Sequence, residues 1–392
     1  MSSESKITRI HAKTLFDGTS YQRDVVLCIA DGLIIAIDDD VTNSDLVLEG
    51  LIVPGFIDLQ VNGGGGVLFN SEPTLSSLKT ILMAHTKFGT TGMLPTVITD
   101  NILTMERAAD AVSLAIKDKV PWVLGIHFEG PHISTIKKGA HSQEYIRSIT
   151  AEEWKIFERK DIGHVLVTLA PECVSIEDIK RLVSSGVNVS IGHSNATYEI
   201  ATNAVEAGVK GFTHLYNAMS QISGREAGVT GAALLSEQTQ CGLIVDGHHV
   251  SYASCKLAIK AKLTGGIILV TDAMPPVGAD LNEFDFFDRK VKCEDGKLTS
   301  STGELAGSAL TMIDAVKNTY RKLDLSIEET LRMASLYPLK FLSKPSLPIA
   351  PEALLAPLLE ANFVQIDQNF SVCSTWIKGQ CVYQSNPNNP SS

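Results

Sequence analysis

Carboxylates and imidazoles recur at the ends of short apolar runs along this chain. IVPGFIDLQ leads to Gln60 and Asn62, WVLGIHFEG ends on His127 and Glu129, and VNVSIGHSN on His193. GFTHLYN carries His214, CGLIVDG carries Asp246 and GIILVTDA carries Asp272. Imidazole nitrogens and a carboxylate are the ligands that hold Zn2+ and similar divalent ions, and three protein ligands leave one position open for water. Glu129 with two imidazoles is such a set, and Asp272 would complete it for hydrolysis by taking and returning the proton of that water. Each residue alone has a plainer explanation. A strand-end His is more often hydrogen-bonded structure than ligand, and Glu129 or Asp272 could simply cap a helix. Four such residues at corresponding ends argue for a shared role. His127 lies two residues before Glu129, so strand alternation points both to one side, where His127 suits a supporting role better than that of an additional ligand. His11, His85 and His164 keep structural readings.

Those ends matter only if the strands bring them together. Eight apolar runs alternate with segments of helical spacing. SIEDIKRLVSSGV has Ser175 as an N-cap, apolar Ile176, Ile179, Leu182 and Val183, and a stop at Gly186. TYEIATNAVEAGV repeats the pattern between Thr197 and Gly208, and Ser326 with Glu329 forms a capping-box pattern before LRMASLYPLKFL. Eight βα units in series predict an α/β fold, a (β/α)8 TIM-like barrel whose chemistry sits where strands end. A doubly wound open sheet is the competing arrangement. Both chain ends read differently, as short β runs (ITRIHAKTLF, DVVLCIADGLIIAI, ANFVQID, TWIKGQCVYQ). They predict a small β-sandwich domain from residues 1–52 and 362–392 around a barrel of 53–361, with QSNPNNPSS as a solvated tail.

Composition narrows the classes. The 392 residues are 44% hydrophobic and 20% charged, enough apolar surface to exclude disorder as the main state. A net charge of −11 without a basic stripe argues against nucleic acid or an anionic membrane as partner. The seven cysteines form no C-x-x-C pair, so reduced thiols in a cytoplasmic protein are expected. MSSESKITRI has no apolar leader core, and no apolar stretch approaches the ~18 residues that span a bilayer.

The runs PGFIDLQVNG, HFEGPHI, KKGAH, GHSNAT, THLYNAM, GREAGVTGA, DGHHV, VTDAM and LAGSALTM occur in this order. Over residues 53–312 the chain thereby resembles the N-acetylglucosamine-6-phosphate deacetylases of the amidohydrolase superfamily. The resemblance implies hydrolysis of the acetamide of N-acetyl-D-glucosamine 6-phosphate to D-glucosamine 6-phosphate and acetate. It implies Glu129, His193 and His214 as ligands of one divalent ion, with Zn2+ expected and Fe2+ or Co2+ feasible. It makes Asp272 the proton carrier and His141 a catalytic partner. Ala140, His141, Asn217, Ala218, the stretch Asp246, Gly247, His248 and His249, Arg225, and Leu305, Ala306 and Gly307 are implied to meet the sugar phosphate. The family's phosphate-binding Arg and His come from across an interface, so a homodimer is expected. The alternatives are another mononuclear amidohydrolase, acting on N-acetylgalactosamine 6-phosphate or an N-acyl amino acid, and a non-catalytic sugar-phosphate-binding barrel.

Two departures stand out. Many superfamily members carry H-x-H after the first strand to hold a second metal; here the pair is Gln60 and Asn62, and HVLVTLAPE lacks the Lys of binuclear relatives. Neutral amides ligate zinc weakly, so a single ion is expected. Near the C-terminus, KPSLPIAPEALLAPLLEANFVQID replaces the family's glycine-containing turn. The GGGG run at 63–66 lacks the Lys and Ser of a phosphate-binding loop and is read as a flexible connection.

Overall fold

The computed structural model describes residues 6–287, 289–343 and 352–386. Its central feature is an eight-stranded parallel sheet: β5 (Phe56–Val61), β8 (Thr90–Ile98), β9 (Gly125–Glu129), β10 (His164–Leu169), β11 (Asn188–Ile191), β12 (Gly211–Phe212), β13 (Gln240–Leu243) and β14 (Ile267–Leu269). Each strand neighbours the next in sequence. The ends meet through a parallel bridge between Val61 and Ala273, with Asp272 N donating to Gln60 O at 3.0 Å and Asn62 N to Ala273 O at 2.9 Å. Closure separates this barrel from the open-sheet alternative. Every residue of β5, β8 and β9 is buried, which is why they read as near-continuous apolar runs and not as alternation.

The connecting helices start and stop where their chemistry dictates. Ile176–Ser184 is capped by Ser175, whose side chain accepts from Asp178 N. Tyr198–Glu206 is capped by Thr197 in the same way. Gly186 takes φ +90° just beyond the first of these helices, a conformation that ends it cheaply only as glycine. Ser326 caps Ile327–Ala334, but the Glu329 carboxylate accepts from Tyr337 Oη at 2.7 Å and does not return to the cap. The single helix expected over LRMASLYPLKFL is two, Ile327–Ala334 and Leu336–Leu342, broken at Ser335 three residues before Pro338.

Two parts of the barrel region differ from the sequence reading. The glycine run is an ordered tight hairpin, β6 (Gly63–Gly64) paired with β7 (Val67–Leu68), and a Cβ on Gly63 would lie 2.4 Å from Val67 O. After the last barrel strand comes an antiparallel three-stranded sheet, β15 (Glu283–Phe286), β16 (Arg289–Glu294) and β17 (Lys297–Ser300). Phe284, Phe286, Val291 and Leu298 pack with Leu68, Ile98 and Met274.

The terminal sheet is built from both chain ends: β1 (Thr8–Phe16), β2 (Tyr21–Ala30), β3 (Leu33–Asp38), β4 (Leu46–Pro54), β18 (Phe363–Ile366), β19 (Val372–Ile377) and β20 (Gln380–Gln384), in the order β20-β19-β18-β4-β1-β2-β3. Ile10, Leu27, Ile52, Leu355 and Phe363 form its core, with Phe363 stacked on Trp376 at 5.4 Å. The chain divides into two compact units, one of Met1–Ile57, His85–Gly92 and Met312–Ser392, the other of Asp58–Ala84 and Met93–Thr311. Of the unusual C-terminal segment, 344–351 lies outside the described residues, while Leu354 N donates to Asp17 O at 2.7 Å and Ala361 N to Gly32 O at 2.9 Å. Of the expected solvated tail, 387–392 also lies outside the described residues.

Candidate active site

Barrel closure brings Glu129, at the end of β9, together with His193 after β11 and His214 after β12. His193, His214 and Asp272 have φ of +48°, +34° and +54°, a region that side chains other than glycine rarely adopt. Such strain concentrates at functional sites. Glu129 Oε1 is 3.1 Å from His193 Nε2 and 2.9 Å from His214 Nε2, and the two Nε2 atoms are 3.0 Å apart. All three side chains are buried. Lys137 O faces His193 Nδ1 at 2.9 Å. A carbonyl only accepts, so in the neutral ring the hydrogen sits on Nδ1 and Nε2 presents a lone pair. That lone pair points into a cluster of further electron-pair donors, which a cation relieves. Tetrahedral bonds of about 2.0–2.1 Å would hold ligand atoms roughly 3.3 Å apart, so these residues fit a divalent ion with one position left open.

The electrostatics of the surrounding groups follow from burial and from this cluster. Burial works to raise the Glu129 carboxyl, but the adjacent His193 and His214 imidazoles outweigh it and hold the group well below its usual range. Asp272 is pushed up to about 6, first by burial and then by the charge of Glu129. His127 falls to about 4, chiefly through burial. Its Nδ1 faces Leu59 O at 3.1 Å and its Nε2 faces Thr168 Oγ1 at 2.8 Å, so both ring nitrogens are engaged and His127 supports the site from behind. His141, also held well below its usual value first by burial, has Nδ1 2.8 Å from Thr99 Oγ1 and its ring 4.2 Å from that of His193.

A cavity of about 480 Å3 opens over these groups. Glu129, His193, His214, Asp272 and His141 line it, as do Ala140, Asn217, Ala218, Leu305 and Gly307. His249 also lines the cavity of its own chain, although the resemblance expects it from across an interface. Asp246 sits behind it, with Oδ2 2.6 Å from His249 Nδ1, and also accepts from His248 N and His249 N at 2.8 Å each. Gly247 makes the turn between them at φ +79°. His248 lies against a separate surface depression, and Ala306 is buried in the core of the three-stranded sheet. Arg225 is exposed and does not line the cavity of its own chain.

Several lining residues carry no sequence signal that singles them out. Ile136 is 73% exposed beside the cavity, and Phe286 and Glu304 arrive from the three-stranded sheet and the loop after it. Thr99 and Lys137 act through a hydroxyl and a backbone carbonyl, roles that residue type does not announce.

Residues 51–382 match the amidohydrolase family. The chain belongs to that family. It is 49% identical to an N-acetylgalactosamine-6-phosphate deacetylase of Shewanella sp. (strain ANA-3), covering 86% of this chain and 84% of the relative. It is 37% identical to an N-acetylglucosamine-6-phosphate deacetylase of Haemophilus influenzae, covering 73% of this chain and 76% of the relative. Among solved structures it superimposes on an N-acetylglucosamine-6-phosphate deacetylase from Pasteurella multocida with a TM-score of 0.90 at 36% identity, covering 96% and 99% of the two chains. A mutant of the Mycobacterium smegmatis enzyme in complex with N-acetyl-D-glucosamine 6-phosphate gives 0.88 at 26% identity, with the same coverage.

Proposed function

We propose that this amidohydrolase removes the acetyl group of N-acetyl-D-glucosamine 6-phosphate, releasing acetate and D-glucosamine 6-phosphate. The observation that carries this reading is the convergence of Glu129 Oε1, His193 Nε2 and His214 Nε2 beside a buried Asp272 in a cavity of about 480 Å3. A divalent ion held by Glu129, His193 and His214, with Zn2+ as the proposed identity, would polarise the acetyl carbonyl and lower the pKa of water from about 15.7 toward ~7. Asp272 accepts the proton of the attacking water and passes it to the sugar nitrogen, so that a neutral amine departs. His141 donates through Nε2–H to the carbonyl oxygen as it becomes negative, with the Thr99 hydroxyl supplying Nδ1.

The phosphate end is assembled from two copies. Arg225 is exposed and outside its own cavity, which supports a homodimer in which the partner's Arg225 reaches the phosphate while His249, oriented by Asp246, contributes in its own chain. Asn217, Ala218, Ala140 and the loop Leu305–Gly307 surround the sugar, and Gly247 and His248 support the His249 turn. The proposed small β domain is residues 1–52 with 362–392, extended by the end of β4 to Pro54 and by the core residue Leu355, with the catalytic barrel in the remainder of 53–361. No helix among the described residues is long and apolar enough to cross a membrane. The proposed location is cytoplasmic, where thiols such as the seven free cysteines stay reduced.

A second reading concerns the epimer. The 49% identical Shewanella relative bears the name of an N-acetylgalactosamine-6-phosphate deacetylase, which favours the galacto substrate. Acetate release from the gluco, galacto and manno N-acetylhexosamine 6-phosphates tests both readings. Each sugar is assayed beside its unphosphorylated form and with a chelator control. Chelator-sensitive turnover confined to phosphorylated sugars is expected; no acetate from any of them overturns the proposal.

A further inference from the structure

The first barrel strand carries Asp58 and Gln60, and Asn62 follows its last residue at the next alternate position, so the three are spaced to face one way. All three are buried, and all three reach the segment that carries Asp272. Thr271 Oγ1 donates to Asp58 Oδ2 at 2.5 Å and Thr271 N to Asp58 Oδ1 at 3.3 Å. One residue on, Asp272 Oδ1 accepts from Gln60 Nε2 at 3.1 Å and from Asn62 Nδ2 at 2.6 Å. The Gln60 amide also donates to Glu129 Oε2 at 3.0 Å, the oxygen turned away from His193 and His214. Its two hydrogens therefore serve two different carboxylates.

Resting on the reading of Asp272 as proton carrier, we infer that Gln60 and Asn62 are positioning residues that lock this carboxylate for proton transfer. Both amide bonds fall on Oδ1, which fixes the plane of the carboxylate and leaves Oδ2 to exchange the proton. The orientation of the Asn62 amide is dictated by that contact, since reversing it would set two oxygens against each other. The orientation has a cost, because Asn62 Oδ1 is then buried without a hydrogen-bond partner. Gln60 does the same for Glu129, holding Oε2 so that Oε1 alone is presented to the histidines. The N–H dipoles of one amide thus lie between two buried carboxylates whose mutual repulsion would otherwise turn them apart. The pair that replaces H-x-H has its own task, in which amides serve better than imidazoles because an NH2 group carries two donors.

The test uses metal-loaded enzyme with acetate release from both the gluco and the galacto N-acetylhexosamine 6-phosphate. Asn62→Leu and Gln60→Met remove the donors at similar volume, and Asn62→Ala removes them by truncation in case the larger apolar variant folds poorly. Loss of an orienting partner predicts kcat down about 10- to 100-fold with KM retained, and in Asn62→Leu, which leaves the Glu129 contact intact, one metal ion per chain is retained as well. In an Asp272→Asn background Asn62→Leu is expected to cost nothing more, because the group it orients is gone. Wild-type kcat in the amide variants overturns the inference, as does full additivity with Asp272→Asn. Metal loss in proportion to activity in Asn62→Leu also overturns it, by making that amide part of the ion site. An Asp272→Asn enzyme of undiminished kcat sinks the proton-carrier reading itself; loss there with wild-type kcat in Asn62→Leu and Gln60→Met sinks only the clamp.

Discussion

Replacing Glu129 with Gln changes one oxygen to an amide at the point where two Nε2 atoms converge at 3.1 and 2.9 Å. The side chain keeps its shape but loses its formal charge, and a neutral amide is a weak zinc ligand. Losing merely an outer hydrogen-bond partner of a metal ligand weakens binding about 10- to 100-fold, so losing the ligand's charge should exceed that. Binding to the native state alone stabilises by RT ln(1 + [L]/Kd), about 2.7 kcal/mol at 100 times Kd and ~4.1 kcal/mol at 1,000 times. At 2–4 °C per kcal/mol for a cooperative unit of roughly 250 residues, zinc added to chelator-stripped wild type should raise Tm by about 5–16 °C. Glu129→Gln should shift by a small fraction of that and release no acetate, with a stripped Tm near that of stripped wild type. Calorimetric or fluorimetric melting with matched metal analysis reads both quantities. An equal zinc response in the variant, or a stripped wild type that retains full activity, would refute the three-ligand site.

Three further outcomes are expected. Asp272→Asn should keep one metal per chain yet lose roughly 10^2- to 10^4-fold in kcat. Because Asp272 must be ionised to accept a proton and is pushed up to about 6, wild-type kcat/KM should fall as pH drops through that region, lower still with a cation bound, and the variant should lose this limb. Arg225→Ala should raise KM for the phosphorylated sugar about 10- to 100-fold at little cost in kcat, since charged hydrogen bonds contribute roughly 1.5–3 kcal/mol; unchanged KM with lost turnover contradicts that role. Burial raises Asp58 from 3.8 to about 7, so its contribution to stability is full below 3.8 and is lost as pH rises through 7. Asp58→Asn should therefore gain Tm relative to wild type as pH climbs from about 4 to 7, and a constant difference across that range would exclude the effect.

How much of this was legible beforehand depends on how local each signal is. Ser175, Thr197 and Ser326 announce helix starts because a cap acts within its own turn. The barrel strands were readable as apolar runs because burial on both faces leaves no alternation to detect. Gln60 and Asn62 were visible as a departure from H-x-H, yet nothing in their neighbours tells which carboxylate oxygen they hold. The sheet spanning Glu283–Ser300 was not anticipated, and with it Phe286 and Glu304 beside the cavity. Its strands are four to six residues long and half exposed, so their pattern resembles that of loops.

Residue types and their order along the chain determined the eight βα units, the helix caps and the stock of ligands and proton carriers, because each is written in short-range chemistry. Tertiary structure alone decided that Glu129, His193 and His214 meet within 4.8 Å, that His193, His214 and Asp272 adopt positive φ, and that Arg225 lies outside its own cavity. Those facts depend on barrel closure between Val61 and Ala273, a contact across more than two hundred residues that no local pattern encodes.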